Sequence, residues 1–105
     1  MLIIGREVGQ SVIIADDIKV TVQKDEFNLK LEIKAPKDTR ITKIKETEMK
    51  QGIFRKTDRK IGDTILIGDN ILITLLKTKN GLLRFAIDAP KEISVYREEI
   101  YEKFA

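Results

Sequence analysis

A chain of 105 residues, 42% hydrophobic and 35% charged, suits one globular domain or two very small units sharing a core, because half this length would bury too little apolar surface to be stable alone. Cysteine, histidine and tryptophan are absent, which excludes thiol nucleophiles, disulfides, zinc sites built on Cys or His, and imidazole acid–base catalysis. The formal charge of +3 permits an acidic partner without requiring one, and no apolar run approaches the ~18 residues of a membrane span.

In chain order, Met1-Leu2-Ile3-Ile4-Gly5-Arg6 has no basic region ahead of an apolar stretch, so no signal peptide is expected and the cytoplasm is the expected compartment. After Gly9, a turn or bulge position, Ser11 to Ile14 leads into the short polar link Ala15-Asp16-Asp17, whose carboxylates read as turn chemistry and not as a metal site. Ile18, Val20 and Val22 alternate with Lys19, Thr21 and Gln23, and Leu29, Leu31 and Ile33 alternate with Lys30, Glu32 and Lys34. Period two predicts strands with one buried face and one wet face. Pro36 cannot donate to a ladder and belongs at a strand end or edge. The stretch Ile44 to Gly52 has two readings, a helix closed by glycine or a flexible linker.

The pattern then repeats. Val8-Gly9-Gln10-Ser11-Val12-Ile13-Ile14-Ala15-Asp16-Asp17-Ile18 matches Ile61-Gly62-Asp63-Thr64-Ile65-Leu66-Ile67-Gly68-Asp69-Asn70-Ile71 at an offset of 61 − 8 = 53. Leu29 to Asp38 matches Leu83 to Glu92, including a shared Ala-Pro-Lys-acid step, at an offset of 83 − 29 = 54. The one-residue difference falls in the intervening turn, where the second half carries the hairpin pair Asn80-Gly81. Leu83, Phe85 and Ile87 alternate with Arg84, Ala86 and Asp88, and Pro90 repeats the role of Pro36. Tyr96 to Phe104 predicts a short helix, with Glu98 and Glu99 favouring its N-terminal end and Glu99 in reach of Lys103.

These residues carry a resemblance. Arg59 to Phe104, above all Ala89-Pro90-Lys91-Glu92-Ile93-Ser94-Val95-Tyr96-Arg97-Glu98-Glu99-Ile100, closely resembles the carbon storage regulator (CsrA) family of bacterial RNA-binding proteins, and Met1 to Gly9 resembles the family's first strand. Asp38 to Lys43 stands for a degraded fifth strand of the first unit. The resemblance implies an all-β fold with a short C-terminal helix: two β-β-β-β-β-α repeats, over 1–43 and 54–105, joined by a connector over 44–53 and forming an intramolecular strand-swapped pseudo-dimer. It implies messenger and small RNAs with GGA-containing hairpin loops as ligands, translational regulation as the role, a flagellar-assembly protein as a conceivable antagonist, and no cofactor or membrane.

Two unequal sites follow from the same resemblance. Site one unites the first strand of the chain with the last: Ile4, Gly5 and Arg6 with Lys91, Val95, Tyr96, Arg97 and Ile100. Site two unites Thr57, Asp58, Arg59 and Lys60 with Ile41, Thr42 and Lys43. Site one keeps the family arginines at Arg6 and Arg97 but has Gly5 where threonine is usual and Glu7 where a second base is usual. Site two is richer in charge but has Lys43 in place of arginine, a point charge that cannot make the planar two-pronged contact of a guanidinium. Site one is therefore expected to read the loop, and site two to add nonspecific grip or nothing. Tyr96 has two readings, a base-stacking ring or a cover for the sheet edge. The alternative function, motivated by Gly5, Glu7 and the eroded second site, is a protein-interaction module or antagonist with weakened RNA binding. An enzyme is not expected, for want of any nucleophile–base pair.

Overall fold

A computed structural model describes residues 2–26, 28–44, 58–62, 64–78 and 80–104. Of the expected connector, only Ile44 is among them, where it ends a strand; residues 45–53 and Thr57 lie outside the described residues. The elements are β1 (Leu2–Gly5), β2 (Ser11–Ile14), β3 (Ile18–Asp25), β4 (Asn28–Lys34), β5 (Ile41–Ile44), β6 (Asp58–Lys60), β7 (Thr64–Ile67), β8 (Ile71–Thr78), β9 (Leu83–Asp88), β10 (Val95–Arg97) and α1 (Glu98–Phe104). The fold is thus all-β with a short C-terminal helix, as the alternation and short links imply. The helix starts two residues later than its periodicity suggests. Tyr96 and Arg97 pair with Ile13 and Val12 in an antiparallel ladder, and Glu98 is the first helical residue.

Each of two sheets draws strands from both halves of the chain. One runs β1-β9-β8-β7-β5, with β6 also on β8; the other runs β10-β2-β3-β4. The first strand of the chain therefore lies on β9, with Ile4 opposite Phe85, while the last strand lies on β2, with Val95 opposite Ile14. Period two sends Val12, Ile14, Ile18, Val20 and Val22 of one sheet and Ile65, Ile67, Ile73, Leu75, Phe85 and Ile87 of the other into one shared core. Neither half owns that core, which explains how units of about fifty residues fold at all.

Local signals place the links. Glu7 to Gln10 form a β-turn in which the Gln10 amide donates to the Glu7 carbonyl at 2.9 Å and Gly9 holds φ +89°, the position of a type II turn that requires a left-handed residue. This turn carries the chain from one sheet to the other. Pro36 and Pro90 both follow strand ends and accept from the amides of Thr39 and Ile93 at 3.0 Å, so the same turn recurs in each half. In the Asn80-Gly81 hairpin, Gly81 at φ +82° donates to the Thr78 carbonyl at 3.0 Å.

The repeat extends to buried polar groups. Ser11 Oγ and Thr21 Oγ1 lie 2.6 Å apart, and their counterparts Thr64 Oγ1 and Thr74 Oγ1 lie 2.7 Å apart (64 − 11 = 74 − 21 = 53). Thr21→Val removes the hydroxyl partner of buried Ser11, and is expected to cost about 1–3 kcal/mol in urea denaturation. The double variant Ser11→Ala/Thr21→Val, which leaves no orphaned hydroxyl in this pair, should recover part of that loss.

Candidate nucleic-acid interface

The terminal strands of the two sheets meet at one edge of the molecule. Leu2 shares a small cavity with Val95, and Gly5 and Arg6 share a larger one with Arg97, so β1 and β10 border the same two cavities. Elements from opposite ends of the chain thereby form one surface.

The larger cavity is an open cleft of about 830 Å³. Gly5, Arg6, Glu7 and Gln10 form one wall, Leu82 and Arg84 a second, and Arg97 closes it from β10. Arg84 sits opposite Gly5 in the β1–β9 ladder, so the missing side chain at Gly5 opens space beside a guanidinium. A Cβ at Gly5 would come no closer than 4.0 Å to the Leu83 carbonyl, so a side chain fits there without displacement. The smaller cavity, about 270 Å³, is lined by Leu2, Ile87, Pro90, Lys91, Ile93 and Val95.

Arg6 is buried. Its Nε donates to the Gly5 carbonyl at 2.8 Å, and its Nη1 reaches the Ser11 carbonyl at 3.2 Å and the Glu99 carboxylate at 2.8 and 3.1 Å. Glu99 thus turns to a residue 93 positions away. Its helix neighbour Glu98 holds Lys19 Nζ at 2.6 Å, so the two acids that open α1 anchor the helix to the end of β1 and to β3. The hydrogen bond that Lys19 donates to Glu98 raises the Lys19 pKa above its ordinary value, and the hydrogen bond donated by Arg6 is the largest influence holding the Glu99 carboxyl below the usual carboxylate range.

A carboxyl whose folded pKa is depressed contributes stability above its unfolded value and loses it as pH falls through the folded one. Glu99→Gln is therefore expected to lower stability near pH 7 and to flatten the acid limb of the stability curve, the gap from the parent closing as pH falls below about 4. Urea midpoints across that range measure it.

The site-one residues separate into three groups. Gly5, Arg6 and Arg97 line the larger cleft, and Lys91 and Val95 the smaller cavity beside it. Ile4 is a core residue beneath them. Tyr96 and Ile100 are exposed but line neither cavity. Tyr96 points to the opposite face of β10 from its neighbours Val95 and Arg97, where its ring lies 6.4 Å from that of Tyr101 on α1.

Of site two, Ile41, Thr42 and Lys43 are exposed on β5, which pairs with β7 in the register that Val95, Tyr96 and Arg97 keep on β2. Thr57 lies outside the described residues, and Asp58, Arg59 and Lys60 form β6, which pairs with β8. Arg84, Leu82 and Gln10 carry no signal of their own in the sequence. Arg84 becomes legible only once β1 is known to lie on β9, which sets it beside Gly5.

Among the described residues no helix is long and apolar enough to cross a membrane. The sequence model of the CsrA global regulator protein family matches the chain twice, over residues 1–48 and 57–105. Two curated relatives, each named translational regulator CsrA and from two strains of Desulfitobacterium hafniense, are 53% and 51% identical over 47 residues. That stretch is 45% of this chain and 61% of each relative, so the match spans less than two thirds of their length. No solved structure matches.

Proposed function

Because the chain belongs to the CsrA global regulator family, with a unit in each half, we propose that it binds GGA-containing hairpin loops of messenger or small RNA at the β1–β10 edge and so regulates translation. The observation that carries this reading is the cleft that sets Arg84 and Arg97 around the exposed backbone of Gly5. RNA loops are read by fixed hydrogen-bonding groups of strands together with guanidiniums on phosphates and base planes, and this edge supplies both. One polypeptide then does the work of an exchanged pair of subunits, with one loop-reading site per chain. The second site, with Lys43 where the first has Arg97, adds at most nonspecific attraction.

Gel shifts with a GGA-loop hairpin against the same stem with a scrambled loop test it. A clear preference at a stoichiometry of one hairpin per chain is expected; equal binding of the two loops would remove the reading. The second reading, a protein-interaction module or antagonist of such a pathway, draws on Glu7 at the cleft and on the Arg6 guanidinium held by Glu99. A protein complex that survives RNase treatment, with no loop preference, would favour it.

Glu7 provides a graded check. It is an exposed carboxylate in the wall of a cleft meant for phosphates. Glu7→Lys is expected to tighten hairpin binding and to steepen the fall of log K with log salt by about 0.7 for each further phosphate that the lysine engages. Titrations at several salt concentrations measure both.

A further inference from the structure

We propose that the space left open at Gly5, beside the exposed side chain of Leu82, is a pocket for one unpaired base flanking the GGA motif, so that these two residues select what lies next to the motif. The pocket belongs to the loop-reading edge proposed above and depends on that reading. In the β1–β9 ladder Ile4 and Phe85 face the core, which turns Gly5 and its partner Arg84 to the outer face. The Arg6 amide donates to the Leu83 carbonyl at 3.0 Å and extends the pairing past Gly5, and Leu82 lines the same cleft as Arg84. Leu82 is held by its backbone yet bare in its side chain. Its amide donates to Thr78 Oγ1 at 3.1 Å and its carbonyl accepts from the Thr78 amide at 3.0 Å. It is nevertheless 57% exposed, more than any other large hydrophobic among the described residues. The repeat does not demand an apolar residue here, since the counterpart in the first half is Asn28 (82 − 28 = 54).

A single exposed leucine is ordinary on a protein surface. Here Val8, 47% exposed, borders the same cleft, and Arg84 and Arg97 border it from β9 and β10. Apolar side chains beside guanidinium planes match the flat face of a nucleobase, which stacks on both. The Glu7 carboxylate in the same wall repels a phosphate, so a strand entering here turns a base, and not its backbone, towards β1. The pinned backbone presents Leu82 without the ordering cost that a mobile loop would add to binding. Gly5 keeps the pocket open. A Cβ there would come no closer than 4.0 Å to the Leu83 carbonyl, so Gly5→Thr fills the space meant for the base and leaves the ladder undisturbed.

Titrations of the nuclease-treated full chain with GGA-loop hairpins that carry an abasic nucleotide at either position flanking the motif test this, because an abasic nucleotide removes the base and keeps the phosphate. At one flank the parent is expected to lose affinity roughly tenfold. Leu82→Ala should lose a similar factor with the intact loop and little more with the abasic one, the non-additivity of groups in contact. Gly5→Thr should behave likewise. Both variants should keep the parent's circular dichroism spectrum and its preference for GGA over a scrambled loop. Leu82→Tyr, with a larger stacking surface, should tighten binding of the intact loop and not of the abasic one. A parent indifferent to abasic nucleotides at both flanks, or a loss that persists undiminished in Leu82→Ala and Gly5→Thr, would overturn the pocket and leave GGA reading standing. Equal binding of GGA and scrambled loops by the parent would instead remove that reading, and the pocket with it.

Discussion

Arg97→Ala is expected to weaken binding of a GGA-loop hairpin roughly 10–100-fold, the loss that follows when a charged hydrogen-bonding partner is withdrawn from an interface. The structure explains why this one position should matter so much. Arg97 ends β10 on the face that closes the cleft, and its backbone is fixed by the ladder to Val12. Arg6, the other family arginine, lines the same cleft but is buried and engaged by Glu99, a contact that ties the end of β1 to α1. Lys43→Ala, on the far edge strand β5, should change binding by no more than about threefold and mainly at low salt. Arg97→Lys separates charge from shape: it keeps the phosphate attraction and loses the planar fork, so its defect should be smaller with a scrambled loop than with GGA. Comparable losses for Arg97→Ala and Lys43→Ala would contradict the choice of site.

Phe85→Ala is expected to cost about 3–5 kcal/mol, a large share of the 5–15 kcal/mol typical of a domain's total stability. Phe85 is fully buried, and it sits between Ile4 on β1 and Leu75 on β8. Removing its ring leaves a cavity in the core that both halves share, directly beneath the strand that forms one side of the cleft. Urea denaturation should show the loss as a lower midpoint. Hairpin binding by the folded fraction at low temperature should also weaken, since β1 is positioned by this packing and not by long elements of its own. Leu82→Ala, at an exposed residue of the same half, should leave stability within about 0.5 kcal/mol of the parent.

The strands were legible because alternation of branched apolar and polar residues is a local signal, and it was clear at Ile18–Val22, Leu29–Ile33 and Leu83–Ile87. The turns were legible for a similar reason: Asn80-Gly81, Gly9 and the two prolines have few conformations open to them. The start of α1 was not. Tyr96 and Arg97 fit a helix by spacing, but in the fold their backbone groups pair with β2, and a ladder supplied by a distant segment outweighs local periodicity. A candidate site at the meeting of the chain's two ends follows from the family resemblance, whereas Arg84 and Leu82 belong to neither end. Their place depends on the β1–β9 register.

The amino-acid sequence alone determined the internal repeat, the all-β class with its terminal helix, and the absence of thiol or imidazole chemistry, since each depends on residue types and short-range spacing. Tertiary structure decided that Arg97 is exposed at the cleft while Arg6 is engaged by Glu99. Strand pairing is a long-range choice among competing edges. Ile4 of β1 lies opposite Phe85 of β9 and Val95 of β10 opposite Ile14 of β2, pairings between distant segments that no local spacing encodes.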